Sequence, residues 1–326
     1  MEEMNNGKSV LSIKDLRVCL SSKKQNLYPV DGVNLEIPKG KIVALVGESG
    51  CGKSMMANSI MGLLPVVGRI ESGDIEFNGK PFLALDKEEK RKIYGNRISL
   101  VFQEPMSSLN PVIKVGKQVA EVLLLHKDVT KEEARKEVVE MFRSVGIPEP
   151  EKRYYSYPHE LSGGLRQRVM ISAAMICKPD LLIADEPTTA LDVTIEAQIL
   201  QLMKRLQRDS GSSVLLITHD LGVVAEICDL VYVMYAGQIV ESADVFELFH
   251  NPRHPYTKGL LDSLPSRNKD KRLRSISGTV PMLSQMPEGC RFAPRCPYAD
   301  ARCHSSCPEI REYSAGHSCR CFREEE

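Results

Sequence analysis

The chain has 326 residues, in which 43 lysines and arginines balance 43 aspartates and glutamates, and 42% of the residues are hydrophobic. This length suits about two domains of ordinary size, and the composition excludes a disordered, collagen-like or coiled-coil protein. Zero net charge counts against a nucleic-acid-binding protein, because phosphate contacts usually require a basic excess. Apolar runs such as Ile42–Val46 are far shorter than the ~20 residues of a membrane-spanning helix.

The N-terminus and the cysteines bear on the compartment. Residues 1–14 are mostly acidic and polar and lack the basic start and apolar core of a secretory signal, so we expect a cytoplasmic location. Ten cysteines in such a chain favour thiols or metal ligands over a disulfide framework. Six of them lie at or after position 290, which marks the C-terminal end as unusual.

The predicted elements begin with strands. Short apolar alternations between about residues 10 and 40 are typical of strands joined by turns. The apolar run Ile42–Val46 follows, then a glycine-rich turn and a helix predicted at residues 53–64. Strand, loop and helix in this order are how an α/β sheet begins.

Residues 112–146 differ, because their apolar residues recur at helical spacing behind a capping box at Thr130 and Glu133. Gly146 ends this helix. We expect a helical subdomain at about residues 104–160, inserted into the sheet domain. Residues 161–237 then alternate between predicted helices and strands, so the sheet resumes after the insertion.

The composition shifts beyond about residue 251 to proline, arginine, serine and cysteine. A short basic run at residues 267–274 is more typical of a solvated linker than of a docking surface. We therefore divide the chain into a main domain at residues 1–250 and a C-terminal extension at residues 251–326 that carries the cysteine cluster.

Residues 47–54 read GESGCGKS, which fits G-x-x-x-x-G-K-S/T and lies between a predicted strand and a predicted helix, the context that this motif requires. Backbone N–H groups of such a loop surround phosphate oxygens, the lysine reaches the terminal phosphates and the serine can bind Mg²⁺. A chance glycine-rich turn is the alternative. Cys51 occupies an unconstrained position and is expected to be a small filler. The candidate nucleotide-binding residues here are Gly47, Glu48, Ser49, Gly50, Cys51, Gly52, Lys53 and Ser54.

Asp185 and Glu186 follow an apolar strand predicted at residues 181–184, at the strand end where α/β ligand sites lie. Asp185 can hold Mg²⁺ through its water shell, and Glu186 can accept a proton from the water that attacks the γ-phosphate. The alternative is that the two acids merely begin a loop. This alternative is weaker because the same chain carries a phosphate-binding loop.

A second anion site is predicted where Ser162, Gly163 and Gly164 precede a helix, because exposed N–H groups and a positive dipole end meet there. One phosphate-binding loop already holds a nucleotide, so this second site suggests that it serves the nucleotide of another subunit.

Three further polar residues follow predicted strands or the acidic pair. Gln103 comes after a strand and can orient water or metal. His219 ends the strand at residues 214–218, where an imidazole can contact a γ-phosphate, although a lone histidine is usually structural. Asp192 lies close enough to the acidic pair in sequence to reach the same rim.

With these motifs in this order, the chain resembles the nucleotide-binding subunit of an ABC transporter from about residue 11 to residue 238. In the terms of that family, GESGCGKS is Walker A, Gln103 the Q-loop, LSGGLRQR the signature, LLIADE Walker B, TALD the D-loop with Asp192, and His219 the switch histidine. The resemblance implies a P-loop NTPase fold, with a RecA-like core, an antiparallel β subdomain and an inserted helical subdomain.

The same resemblance implies the chemistry of the site. Two subunits enclose two ATP molecules, each between Walker A of one subunit and the signature loop of the other. The implied catalytic residues are Glu186, His219 and Gln103, and the implied Mg²⁺ ligands are Ser54, Gln103 and Asp185.

A finer resemblance is to the peptide/nickel importer branch of the family. It depends on QEPMSSLNP at residues 103–111, PRHPYT at residues 252–257 and the cysteine-bearing tail. This branch implies an ATPase, on the cytoplasmic face of the membrane, that energises uptake of di- and oligopeptides. Its implied partners are a second ATPase subunit (paralogue or self), two permease subunits and an extracytoplasmic peptide-binding protein, with no nucleic acid. Nickel or another small solute is one alternative, and a soluble ABC ATPase without a transport role is another.

The tail cysteines are spaced C-x5-C-x6-C from position 290, which fits neither a standard zinc ribbon nor a ferredoxin run. The resemblance implies a 4Fe–4S cluster on Cys290, Cys296, Cys303 and Cys321. Cys307 or Cys319 can substitute for Cys321. A structural zinc and unliganded thiols remain the alternatives, because soft thiolates select both zinc and iron–sulfur clusters.

Overall fold

The computed structural model describes residues 9–22, 25–103, 108–188, 192–264 and 276–323 as a mixed α/β protein. Its strands, in chain order, are β1 (Ser9–Ser21), β2 (Asn26–Pro38), β3 (Ile42–Val46), β4 (Gly68–Phe77), β5 (Lys80–Pro81), β6 (Ile98–Val101), β7 (Leu181–Asp185), β8 (Ser213–Thr218), β9 (Leu230–Tyr235), β10 (Gln238–Asp244), β11 (Arg311–Ser314) and β12 (His317–Cys319). Its α-helices are α1 (Lys53–Met61), α2 (Lys87–Ile93), α3 (Val115–His126), α4 (Lys131–Ser144), α5 (Pro150–Arg153), α6 (Gly163–Met175), α7 (Val193–Ser210), α8 (Leu221–Ile227), α9 (Val245–His250), α10 (Pro255–Asp262) and α11 (Ala301–Ser305).

The described residues belong to two compact units. The first unit takes its residues from Met1–Ile37, Lys41–Leu83 and Ile217–Glu326, and the second from Pro38–Gly40 and Ala84–Leu216. The described part of the C-terminal extension therefore belongs to the same unit as the N-terminal strands.

A four-stranded sheet in the order β2-β1-β4-β5 forms one part of the first unit, and its pairs β1–β4 and β4–β5 are antiparallel. The strand β1 pairs with β4 from Leu11, opposite Phe77, to Leu20, opposite Gly68. Sequence alternation predicts short strands here, whereas the structure has two continuous strands of 13 residues each, β1 and β2. The predicted strand character of this region is confirmed, and the strand lengths differ.

A second set of strands in the first unit runs in the order β3-β9-β10-β12-β11. The buried strand β3 pairs in parallel with β9. The strands β9 and β10 pair antiparallel, and Glu241 of β10 lies opposite Cys319 of β12. The hairpin β11–β12 thus continues the hydrogen-bonded order that begins at β3, so backbone pairing joins the end of the chain to the main domain.

A shared core stabilises this connection. Phe292, in the C-terminal extension, is 2% exposed and belongs to the same buried cluster as Tyr235 of β9 and Tyr256 of α10. The ring centroids of Tyr235 and Tyr256 lie 4.7 Å apart, and those of Tyr235 and Phe292 lie 5.2 Å apart. Full burial of such a side chain contributes about 1.5–3 kcal/mol, so the aromatic cluster holds the extension against the sheet.

The second unit carries the strands β8, β7 and β6 side by side in that order, with β6 and β7 parallel. The end of β8, from Ile217, belongs to the first unit. The predicted capping box before α4 is confirmed: the backbone N–H of Glu133 donates to Thr130 Oγ1 at 3.2 Å, and the N–H of Thr130 donates to Glu133 Oε2 at 2.8 Å. The helix ends at Ser144, two residues before Gly146, which has a φ of 77°.

Some predicted boundaries change. The helix predicted at residues 53–64 ends at Met61, because Gly62 adopts a left-handed conformation with a φ of 66°. The strand before Gln103 ends at Val101. The basic run at residues 267–274 lies outside the described residues. Within the described ranges, no helix combines the length and hydrophobicity needed to cross a membrane.

Candidate functional site

The loop at residues 47–52 connects β3 to α1 and passes very close to neighbouring backbone. A Cβ atom on Gly47 would lie 2.2 Å from the carbonyl oxygen of Met234, and one on Gly52 would lie 2.1 Å from that of Pro29. Gly52 also has a φ of 113°, a conformation that only glycine adopts readily. Both glycines are therefore required for the loop to turn where it does.

Lys53 begins α1 and points back into this loop. Its ammonium donates to the carbonyl oxygens of Gly47, at 2.7 Å, and Glu48, at 3.1 Å, and the residue is 5% exposed. The lysine charge is thus held inside the ring of loop backbone, where the motif predicts phosphate. The residues of the loop and first turn that remain exposed are Ser49, Gly50 and Ser54.

The loop has two contacts that the motif does not predict. The backbone N–H of Glu48 donates to the Tyr256 hydroxyl at 2.9 Å, and the Glu48 carboxylate pairs with the guanidinium of Arg295. These partners lie 208 and 247 positions away in the sequence. The PRHPYT segment contains Tyr256, but nothing in the local pattern indicates its contact with the loop.

Cys51 is buried, and its burial raises the pKa of the thiol. A protonated thiol is a poor nucleophile. This agrees with the filler role expected for Cys51.

The acidic pair and the glutamine belong to the second unit. Asp185 is the last residue of β7 and is buried, and Glu186 follows with a φ of 44°. The side-chain amide of Gln103 donates to Glu186 Oε2 at 3.0 Å. A left-handed backbone at a residue other than glycine costs about 1–3 kcal/mol, so Glu186 contacts Gln103 from a strained backbone position.

The signature segment forms the start of α6. Ser162 is its N-cap, and the side-chain hydroxyl accepts a bond from the N–H of Leu165 at 3.4 Å. Ser162 and Gly163 are exposed. A Cβ atom on Gly164 would lie 2.9 Å from Cγ2 of Ile195 in α7, so the helix packs closely there. The N-terminus of α6 therefore lies at the predicted anion site, with its backbone N–H groups at the start of the helix.

Two predicted residues lie at exposed element ends. His219 follows β8 in the first unit, and Asp192 is the N-cap of α7 in the second. Asp192 makes no side-chain capping bond. The other D-loop residues, at positions 189–191, lie outside the described residues, so the structure tests only part of that motif.

Four cysteines line one cavity of about 230 Å³ in the first unit. They are the four residues predicted as cluster ligands: Cys290, Cys296, Cys303 and Cys321. Burial raises the pKa of Cys290 to about 11 and also raises the pKa of Cys296 and of Cys303.

The other two tail cysteines do not line this cavity. Cys307 is exposed beside Gln238, with 3.7 Å from its Sγ to Gln238 Oε1, and Cys319 is buried in β12. In the described part of the chain, no group of three or more histidine, cysteine, aspartate or glutamate side chains is arranged to hold a metal ion. The four thiols share a cavity but do not form such a group.

Comparison with protein-family models gives two matches. A family described as "ABC transporter" matches residues 30–189. A family described as "Oligopeptide/dipeptide transporter, C-terminal region" matches residues 240–303. The second match covers part of the C-terminal extension, including Cys290 and Cys296.

Curated relatives match over nearly the full length. The oligopeptide transport ATP-binding protein AppD of Bacillus subtilis (strain 168) is 50% identical, over 98% of this chain and 98% of its own. The dipeptide transport ATP-binding protein DppD of the same strain is 48% identical, over 97% and 95%. The oligopeptide transport ATP-binding protein OppD of Escherichia coli (strain K12) is 47% identical, over 97% and 93%.

A solved structure gives a consistent result. The ATP-binding cassette MJ0796, solved as a dimer in a post-hydrolysis state with ADP and Pi, is 29% identical with a TM-score of 0.65. The match covers 72% of this chain and 98% of that one.

Proposed function

The chain belongs to the ABC transporter family, and we propose that it is the ATP-binding and ATP-hydrolysing subunit of an importer that takes up di- and oligopeptides. The observation that carries this proposal is the likeness to AppD, DppD and OppD, which includes the C-terminal region as well as the ATPase core. The loop around Lys53 supplies the matching chemistry, because it holds a buried ammonium inside a ring of glycine-rich backbone.

The proposal extends to the domain organisation. Residues 1–250 would form the ATPase domain, with a helical subdomain inserted at about residues 104–160, and residues 251–326 would form the cysteine-bearing extension. The helices α3, α4 and α5 support the inserted subdomain. The aromatic cluster that joins Phe292 to the sheet supports an extension that is docked on the ATPase domain.

We assign nucleotide binding to the phosphate loop, with Lys53 bound to the terminal phosphates. Oxygen ligands are what Mg²⁺ prefers, and the donor set formed by the hydroxyl of Ser54, the amide of Gln103 and the carboxylate of Asp185 is chemically suited to it. Bound Mg²⁺ would neutralise charge that develops on the phosphates. The full set of nucleotide-binding residues would be Gly47, Glu48, Ser49, Gly50, Cys51, Gly52, Lys53, Ser54 and Asp185, with Ser162, Gly163, Gly164 and Asp192 serving the nucleotide of the partner subunit.

Hydrolysis would use Glu186 as the general base. Its carboxylate accepts a hydrogen bond from Gln103, which can orient both the base and the attacking water. His219, exposed at the end of β8, would contact the γ-phosphate. In this scheme Glu186 deprotonates the attacking water, Gln103 orients that water, and His219 contacts the γ-phosphate. Lys53 stabilises the charge on the phosphates.

The partners follow from the family. We propose a dimer with a second ATPase subunit, either a copy or a paralogue, and MJ0796, solved as a dimer, supports this. Two permease subunits and an extracytoplasmic peptide-binding protein would complete the importer, and the ATPase would lie peripherally on the cytoplasmic face of the membrane.

We also propose that Cys290, Cys296, Cys303 and Cys321 hold a 4Fe–4S cluster. The shared cavity supports this choice, because it includes these four thiols and leaves out Cys307 and Cys319. The donor set fits, since thiolates bind iron–sulfur clusters.

Anaerobic purification with iron, sulfide and zinc analysis tests the cluster. We expect iron and sulfide in equal amounts, about four of each per chain. Cys321→Ser should lower both, while the matched control Cys307→Ser should retain them. Stoichiometric zinc without sulfide, or equal losses in both variants, would contradict the assignment.

A deletion strain of the native host tests the transport function. Uptake of labelled di- and oligopeptides should be lost on deletion and restored by the wild-type gene. It should not be restored by Lys53→Ala, because this variant lacks the ammonium that binds phosphate. Unchanged peptide uptake with a loss of nickel uptake would favour the nickel importer instead.

A further inference from the structure

One arginine of the C-terminal extension reaches the phosphate-binding loop. The Nη1 atom of Arg295 donates to Glu48 Oε2 at 2.9 Å, and its Nη2 atom donates to Glu48 Oε1 at 3.1 Å. The arginine side chain is 5% exposed and the glutamate side chain 28%. Two parallel charge-assisted bonds are the strongest geometry that such a pair can adopt, so the contact is directional as well as electrostatic.

Other contacts also hold the Arg295 side chain in the position in which it binds the loop. The Nε atom donates to the carbonyl oxygen of Ser277 at 2.9 Å, and Nη2 also lies 3.4 Å from that of Ile276. The guanidinium lies 5.7 Å from the ring centroid of Tyr235 and 6.0 Å from that of Phe292, within the range of cation–π attraction. These contacts fix the guanidinium group of Arg295, so the side chain loses little conformational entropy when it binds Glu48.

Glu48 is consequently held through both its backbone and its carboxylate. Its N–H donates to Tyr256 Oη, its carboxylate binds Arg295, and its carbonyl oxygen accepts from the Lys53 ammonium. Side chains from outside the loop motif therefore fix the position of Glu48, whose carbonyl oxygen binds the Lys53 ammonium. Arg295 also neutralises a carboxylate of the loop, which would otherwise repel the phosphates of a nucleotide.

We propose that Arg295 is a positioning residue of the nucleotide site, through which the C-terminal extension fixes and neutralises the phosphate-binding loop. This inference rests on the proposed binding of ATP by the loop. Loss of Arg295 weakens ATP binding more than it slows hydrolysis, because the bond between Gln103 and Glu186 does not involve the extension.

The test compares Arg295→Gln, Arg295→Lys, Glu48→Gln and the double variant Glu48→Gln/Arg295→Gln in the full-length protein. Arg311→Gln, at an exposed arginine of the same extension, is the matched control. Titration with a fluorescent ATP analogue gives Kd, and steady-state hydrolysis gives KM and kcat. Thermal unfolding of every variant reports whether the fold is retained.

Arg295→Gln should raise Kd and KM for ATP by about tenfold, because removing one partner leaves the other charge unsatisfied. The kcat at saturating ATP should fall by a smaller factor. Arg295→Lys should recover part of the affinity, since lysine keeps the charge but lacks the fork. The double variant should bind ATP better than Arg295→Gln, because it has no unpaired carboxylate, and Arg311→Gln should match the wild type.

Wild-type ATP affinity in Arg295→Gln would overturn the proposal. So would equally weak binding in Arg295→Gln and the double variant, because the effect would then come from damage to the extension and not from the charge of Glu48. Failure of the proposed ATP binding itself has a different result, in which the wild type and Lys53→Ala bind the analogue equally.

Discussion

A buried carboxylate, Glu241 of β10, joins the C-terminal hairpin to the rest of the first unit. Its oxygens accept bonds from the backbone N–H of Arg253 at 2.6 Å and of His254 at 2.9 Å. The imidazole of His317 in β12 completes the set, with its Nε2 atom 2.8 Å from Glu241 Oε1. Glu241 is 0% exposed and His317 1%, so solvent screens this pair little.

The pair makes stability depend on pH. The hydrogen bond to Glu241 raises the pKa of His317 above the ordinary value of 6.5, and Glu247, at 3.4 Å from Nδ1, acts in the same direction. A raised folded-state pKa gives stability that is fully present below the unfolded pKa and is lost as pH rises through the folded value. We therefore expect the free energy of unfolding to fall as the pH increases from about 6.5.

The variant His317→Gln separates the charge from the hydrogen bond. Glutamine can still donate to Glu241 but is never charged. Hydrogen bonds to charged groups contribute about 1.5–3 kcal/mol, and the bond from glutamine, in which only the carboxylate is charged, belongs at the lower end of that range. We expect the variant to be less stable than the wild type by about 1–1.5 kcal/mol at about pH 6, with a smaller difference at about pH 8.5.

Urea unfolding at both pH values measures this difference, and His159→Gln, at an exposed histidine of the second unit, is the control. The control should keep the wild-type slope of stability against pH. If His317→Gln also keeps that slope, or if the wild type gains stability over this range, then His317 is not the group that titrates.

Three further predictions follow from the sites. Glu186→Gln should keep ATP binding but slow hydrolysis by about 10²–10⁴-fold, as expected for a lost general base, and near-normal ATPase rates would contradict that role. Phe292→Ala should lower the free energy of unfolding by about 3–5 kcal/mol in a urea titration, because it removes a buried ring; a loss below about 1 kcal/mol would show that the extension is not anchored there. In metal-free protein, iodoacetamide should modify exposed Cys307 and leave buried Cys51 intact by mass spectrometry, and the reverse order would refute the filler role of Cys51.

The sequence predicts local features well because local interactions determine them. The phosphate loop and the capping box at Thr130 each depend on residues a few positions apart, and both have the predicted local structure. The strand β1 was harder to predict. A register shift between Lys14 and Arg17 moves the inward residues from Leu11 and Ile13 to Leu16 and Val18, so one bulged strand has the alternation of two short ones.

Contacts between distant segments could not be predicted in this way. Glu48 and Arg295 are 247 positions apart, and each has an ordinary local environment. Their pairing depends on how β9 and the extension pack, through Tyr235 and Phe292. The chain must therefore fold before Arg295 can reach Glu48 in the phosphate-binding loop.

The short segment at residues 290–296 contributes to the cysteine cavity, to the aromatic core and to the ion pair with Glu48. Cys290 and Cys296 line the thiol cavity, Phe292 fills the core, and Arg295 binds the phosphate loop. Arg291 contacts Asp31 of β2 and the carbonyl oxygen of Ala236. Cys296 directly follows Arg295 in the chain, so the cavity and the residue that binds Glu48 share one segment of backbone. Residues 290–296 therefore contribute both to the cysteine cavity and, through Arg295, to the phosphate-binding loop, although the sequence places these two features at opposite ends of the chain.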